Sequence, residues 1–403
     1  MRKRQSFVSL NSVWRKWKTN GWRPFNLFFM NKMKKVLIIE NSVAITGSLH
    51  AVLRTSIALR NEYEFVFILP FGSKAVDLLR EKNFKTYEVP LYEISKSFQS
   101  ILLYIPRLIR SAYRVRQIAR AENISAIHVN DFYNLILPLW KIAGAPYPYL
   151  CYVNFVPDRF PLPLRWIWIN SHLLFSSHIA AVSNYVLRQL PVHQKVMCIP
   201  DALPDEVVAG SEEKKNRLLF LGNFIQGKGQ DKAIRAFASI AAHFPDWKMR
   251  FVGGDMGLEK NRVYRQSLSD LADELGIATQ IEMSGFSSDV AKEYQQASIA
   301  LNFSVSESFS LTVQEAMFYG CPIIATRSGG PAELIKDHHS GILVTVNDVE
   351  QMSTAMKTLI ENPAERERLR SNAWIAIREQ YSKAKTIELL GEVYREMILS
   401  HPR

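Results

Sequence analysis

The stretch Arg217-Leu218-Leu219-Phe220-Leu221-Gly222-Asn223-Phe224-Ile225-Gln226-Gly227-Lys228-Gly229 reads as a buried strand running into a glycine-rich loop. Arg217–Leu221 is a short apolar run of the kind that fills a parallel sheet covered on both faces. Helical spacing resumes at Gln230 and continues toward Phe244. A generic turn accounts for the glycines, but it does not require a lysine between two of them. Glycines let the backbone approach a diphosphate, and Lys228 sets an ammonium beside it. The segment therefore predicts an α/β unit with an anion site at the carboxyl end of its strand.

The same alternation extends in both directions. Downstream, Met249–Val252, Ile281–Met283, Ile299–Phe303 and Ile323–Ala325 read as strands, with a helix over Arg262–Leu275. Upstream, Lys34–Glu40, Phe65–Leu69, Ile124–Val129, Leu150–Asn154, Ile179–Val182 and Val196–Ile199 read as strands, with a helix over Lys74–Lys82. Between the two runs, Pro200–Lys215 carries prolines, Gly210 and a cluster of charge. A chain of 403 residues suits two domains, each with its own core. The expected fold is α/β, with two doubly wound Rossmann-like domains facing across a cleft. Residues 33–205 form the first domain and 206–380 the second. Ligands of such sheets bind beyond the carboxyl ends of the strands.

The net charge of +12 suggests nucleic acid until it is located. Residues 1–35 hold ten Lys or Arg and no acid, which leaves +2 over the other 368 residues. No nucleic-acid partner is expected. The extension, residues 1–32, also carries Trp14, Trp17, Trp22, Phe25, Phe28 and Phe29. Basic residues among aromatics fit an anionic membrane surface. The competing reading starts the protein at Met33 and leaves the extension disordered or untranslated. A second basic segment, Ser100–Arg120, has Ile101, Ile105, Leu108, Ile109 and Ile118 as its apolar positions and five arginines besides. It reads either as a membrane-surface helix or as a core helix with a solvated basic face. The run Trp166–Val182 is interrupted by Asn170, His172 and His178 and does not make the ~20 apolar residues of a span. Cys151, Cys198 and Cys321 are sparse and odd in number, which argues for a reducing compartment and against a structural zinc site. The expected location is cytoplasmic, with peripheral association on the inner face of a membrane.

Ser306-Glu307-Ser308-Phe309-Ser310-Leu311-Thr312-Val313-Gln314-Glu315-Ala316-Met317 places two glutamates eight positions apart. The first falls on a loop and the second inside the helix that follows. Between them lies an open helix N-terminus, with about half a positive charge and unpaired donors suited to a phosphate. Farther on come Gly320-Cys321-Pro322, Gly329-Gly330-Pro331-Ala332-Glu333 and Gly341-Ile342-Leu343-Val344.

Together these motifs resemble glycosyltransferase family 4 over roughly residues 217–346, in the right order and spacing. The first domain is similar in pattern, at Val36–Glu40, Gly47, Ile127–Val129 and Ser183. The resemblance implies the GT-B fold, a retaining reaction and a nucleotide-sugar donor of the UDP or GDP type. It implies a glycan or lipid-linked acceptor in cell-surface polysaccharide biosynthesis, with no metal or other cofactor. It also implies that a C-terminal helix within residues 381–403, around Lys383–Leu399, crosses back to the first domain. By position, Glu307 would contact the donor sugar, Glu315 the ribose and Lys228 the diphosphate. The N–H groups near Ser310, Leu311 and Thr312 would cap that diphosphate, and Gly47 would face it. Three positions depart from the family pattern: Asn223 replaces an arginine, Thr46 a loop glycine, and Asn154 a histidine on the acceptor side. Asn154 can hydrogen-bond a sugar but cannot carry charge. Alternatives are a nucleotide-sugar epimerase or phosphorylase of the same fold, and a non-catalytic sugar-nucleotide-binding subunit at a membrane. An oxidoreductase is disfavoured, since no Gly-x-Gly-x-x-Gly follows the first strand.

Overall fold

The computed structural model describes residues 33–92, 103–206, 213–287 and 289–401. The basic aromatic extension, residues 1–32, lies outside these, as do residues 100–102 of the second basic segment.

The first domain alternates β1 (Lys34–Glu40), α1 (Gly47–Ala58), β2 (Tyr63–Pro70), α2 (Ala75–Glu81), β3 (Lys85–Val89), α3 (Tyr104–Ala121) and β4 (Ala126–Asn130). It continues with α4 (Ile136–Ile142), β5 (Tyr149–Val153), α5 (Leu162–Phe175), β6 (His178–Ala181), α6 (Asn184–Leu187) and β7 (Val196–Cys198). Among the described residues these strands form one parallel sheet in the order β3-β2-β1-β4-β5-β6-β7. Right-handed crossovers put α1 and α2 on one face and α3, α4 and α5 on the other. Covered on both sides, Val36, Leu37, Ile38 and Ile39 are wholly buried. Each such side chain contributes about 1.5–3 kcal/mol relative to exposure. The strand order reverses between β1 and β4, where a crevice opens at the carboxyl ends.

The second domain runs β8 (Lys215–Leu221), α7 (Gln230–Ala238), β9 (Lys248–Val252), α8 (Glu259–Glu274), β10 (Ile281–Ser284), α9 (Val290–Gln296) and β11 (Ala297–Asn302). Then come α10 (Leu311–Phe318), β12 (Ile323–Thr326), α11 (Pro331–Leu334), β13 (Ile342–Val344), α12 (Val349–Glu361), α13 (Pro363–Gln380) and α14 (Lys383–Leu399). Its parallel sheet has the order β10-β9-β8-β11-β12-β13. The helix expected to reach Phe244 ends at Ala238, and a single 3-10 turn, Ala241–His243, follows. Pro245 disfavours helical backbone at Phe244, so the chain turns out before it.

Helix α14 packs on the first sheet. The Tyr394 hydroxyl lies 2.7 Å from His128 Nδ1, and Tyr63 Oη donates to the Gly391 carbonyl at 3.1 Å. The two domains are also joined directly. Ser183 Oγ donates to the Ser308 carbonyl at 2.5 Å, and Lys383 pairs with Asp205.

Candidate functional site

The loop after β8 is held by its own backbone and by the loop after β11. Gly229 sits at φ 89°, and a Cβ there would meet the Phe303 carbonyl oxygen at 2.2 Å, so only glycine fits. Val305 N donates to the Gly227 carbonyl at 2.9 Å, which ties the two loops together. Asn223 serves this framework: its Oδ1 accepts from Gly254 N at 3.2 Å, and its carbonyl accepts from Gln230 Nε2 at 2.9 Å.

Lys228 and Glu307 meet on this framework. Lys228 Nζ lies 2.7 Å from Glu307 Oε1, which also accepts from Ser304 Oγ at 2.6 Å. The Glu307 backbone is pinned as well, its N–H donating to Ser328 O and its carbonyl accepting from Gly330 N, both at 2.9 Å. The carboxylate is thus held in one place, and the lysine stays half-exposed toward the cleft.

Helix α10 begins four residues beyond Glu307, at a bare N-terminus. Ser310 precedes it at φ 85°, a left-handed conformation that costs a non-glycine residue roughly 1–2 kcal/mol. Asn302 Nδ2 offsets that cost by donating to Ser310 Oγ at 3.1 Å and to Thr312 Oγ1 at 2.8 Å. Ser310 makes no side-chain cap, which leaves the N–H groups at the start of α10 for another acceptor. Gly47, at the start of α1, faces this end across the cleft: a Cβ there would lie 3.3 Å from Leu311 Cδ1. Thr46 is the N-cap of α1, its Oγ1 accepting from Leu49 N at 3.3 Å, which gives the departure from glycine a structural reason.

One turn into α10, buried Glu315 pairs with Arg54 of α1, a residue the sequence reading did not single out. Arg54 Nη1 is buried with no hydrogen-bond partner. Nearby Asp201 is pushed up to about 7 by burial, with Arg54 pulling it the other way.

Asn154 belongs to a separate network at the carboxyl ends of β1, β4 and β5. Its Nδ2 donates to Asn130 Oδ1 at 2.6 Å, and Asn130 Nδ2 donates to the Glu40 carboxylate. Next to it, Asp131 is buried and raised well above the usual carboxylate range by that burial. The structure therefore brings Lys228 to Glu307 and Gly47 to Leu311, with Ser310 and Thr312 at the same helix start and Glu315 one turn farther on. Neither Glu40 nor Asn130 carries a motif by which sequence reading would have found it.

Residues 204–374 match the family model of glycosyl transferases group 1. Over 193 residues the chain is 31% identical to a D-inositol 3-phosphate glycosyltransferase of Thermobifida fusca, across 47% of this chain and 44% of that protein. It is 32% identical over 162 residues to an uncharacterized glycosyltransferase of Haemophilus influenzae, across 40% of this chain and 43% of that protein. The matches thus span under half the length of either relative. Among solved structures, Anabaena HepE in complex with UDP-glucose gives a TM-score of 0.77 at 17% identity, covering 90% of this chain and 99% of that one. A sucrose-phosphate synthase of Thermosynechococcus elongatus gives 0.73 at 15% identity, covering 91% and 100%. These likenesses establish the fold: two parallel-sheet α/β domains. The matched sequence includes Lys228, Glu307 and Glu315; Gly47, Arg54 and Asn154 lie outside it.

Proposed function

We propose that this chain is a retaining glycosyltransferase of family 4, which moves a sugar from a nucleotide donor to a glycan or lipid-linked acceptor in cell-surface polysaccharide synthesis. The observation that carries the reading is the Lys228–Glu307 pair beside the uncapped start of α10. A diphosphate accepts from those N–H groups and draws the Lys228 ammonium to itself. Glu307, released from the lysine, then takes hydroxyls of the donor sugar, and Glu315 takes those of the ribose. The UDP-glucose complex of the fold relative HepE supports a uridine donor.

In the front-face reaction the donor's anomeric C–O bond breaks as a bond to the acceptor oxygen forms on the same face. The acceptor's proton passes to the departing diphosphate. Lys228 and the helix N-terminus would meet the charge that develops there, the kind of preorganised stabilisation that usually supplies the largest catalytic term. The protein's own residues hold that charge in this scheme, and no further cofactor is invoked.

The test is to measure donor turnover and UDP binding in two variants. Glu307→Ala should lose transfer while binding UDP as the parent does. Lys228→Ala should weaken UDP binding and turnover together, by about 2–4 kcal/mol. Parent-like turnover in Glu307→Ala, or parent-like UDP affinity in Lys228→Ala by calorimetry, would defeat the assignment.

A further inference from the structure

A cavity of about 390 Å³ opens between the domains immediately beside Glu307. One wall is Val305 and Ser306 with Ser328 and Gly329; the other is Tyr185 and Arg188 at α6, with Arg159. The wall is close-fitting: a Cβ on Gly329 would strike the Tyr185 ring at 2.4 Å, so the ring packs directly against the glycine.

The lining is strongly basic. Arg159, Arg188 and Arg327 face the cavity, and Glu333 is its one acid. That carboxylate is fully engaged, its Oε1 accepting from Asn184 N at 3.0 Å and Asn184 Nδ2 at 2.7 Å, and its Oε2 from Tyr185 N at 2.9 Å. Arg327 pairs with Asp337. Asp158, the acid next to Arg159 in sequence, pairs with Arg165 instead. Among the described residues, Arg159 and Arg188 pair with no acid. Two guanidinium groups without an acid partner line one small cavity, and each can receive an oxyanion by parallel N–H donation.

We infer that this cavity is the acceptor subsite and that the acceptor carries a phosphate group, seated between Arg159 and Arg188, with its reacting hydroxyl toward Ser306 and Glu307. The inference rests on the reading of Glu307 as the sugar-facing carboxylate. It assigns both arginines to acceptor recognition, a role separate from donor binding. A phosphate monoester and the headgroup of a phospholipid offer the same chemistry to them.

The experiment uses the full chain saturated with UDP, so that the donor's own phosphate site is filled. Binding of glucose 6-phosphate and glycerol 3-phosphate is measured by calorimetry against glucose, glycerol and glucuronate. In parallel, capture by phosphatidylcholine vesicles is compared with and without phosphatidic acid, which separates a lipid source from a soluble one. The phosphate monoesters, or the phosphatidic acid vesicles, should bind in preference to their uncharged counterparts. The double variant R159A/R188A should lower that binding at least tenfold and leave UDP affinity within twofold of the parent. Equal binding of phosphorylated and plain compounds overturns the inference, as does binding unchanged in the double variant, loss of binding once UDP is present, or a preference for glucuronate. A chain that fails to bind UDP defeats the proposed function instead, and the same series without UDP then still tests the cavity.

Discussion

Arg54 reaches Glu315 from the opposite domain, and the consequence is a competition. If Glu315 receives the ribose, a nucleotide must first take it from the guanidinium. Both side chains are largely shielded from water, so removing one partner leaves a charge poorly compensated, at a cost of about 3–5 kcal/mol where burial is complete. Arg54→Met should therefore unfold at a lower temperature when ligand-free. It should also gain more from saturating UDP than the parent does, because Glu315 is then open. Thermal melts of both proteins with and without UDP check this, and equal UDP shifts in the two would refute it. Residues of this kind define what sequence alone reveals. Lys228 and Glu307 were legible because each sits at a fixed offset from glycines or from a second glutamate. Arg54 was not, since its partner lies 261 positions away and its neighbours spell only a helix. Arg188 is equally silent: its importance comes from which acids fail to face it.

Helix α3 shows the same limit one level up. Ile105 and Ile109, expected to supply its apolar side, stand 56% and 53% exposed, together with Tyr113. The buried side keeps the expected Leu108 and is completed by Ser111, Ala112, Val115 and Ala119, whose small members let α4 approach closely enough for Trp140 Nε1 to reach the Ala112 carbonyl at 2.8 Å. The outward face therefore combines apolar side chains with Arg110 and Arg114, and Trp166 of α5 is exposed on the same side of the sheet. Strand β3 escaped notice for a related reason. It is an edge strand, only Val89 of it is buried, and its Lys and Glu mask the pattern. The deeply buried β1 was plain. Among the described residues no helix is long and apolar enough to cross a membrane, so the proposed association rests on surfaces such as that of α3. Each cation near an anionic bilayer contributes about 1 kcal/mol. Reversing two, in R110E/R114E, should cut capture of the full chain by phosphatidylserine vesicles at least tenfold, with UDP binding retained. Capture equal to the parent's, in a sedimentation assay at low salt, would remove α3 from the membrane surface.

Across the whole molecule, His128 links the central strand of the first sheet to the final helix. It is stacked on Tyr152 with ring centres 5.3 Å apart and joined to the Tyr394 hydroxyl, and burial pushes its imidazole down to about 3. A histidine held neutral in the fold stabilises it above pH 6.5, and that contribution is lost as pH falls from 6.5 toward 3. Over pH 6.5 to 4 the loss amounts to about 3 kcal/mol. His128→Gln should show a shallower fall in melting temperature across this range than its parent. Asp201, pushed up to about 7, acts in the opposite sense in both proteins, so the difference between them isolates His128. Parallel pH profiles would mean that the imidazole titrates freely.

The tie between His128 and Tyr394 also sets an order of events during synthesis. The two residues are 266 positions apart, so the ribosome finishes the first sheet long before it makes the helix that covers it. Until then Tyr63, Phe65 and His128 lack the Tyr394 ring that packs against them. The part of the chain translated first is thus the last to be sealed. A nascent chain of this protein exposes an unfinished aromatic surface for most of its elongation, and chaperone occupancy should fall only once α14 has left the exit tunnel.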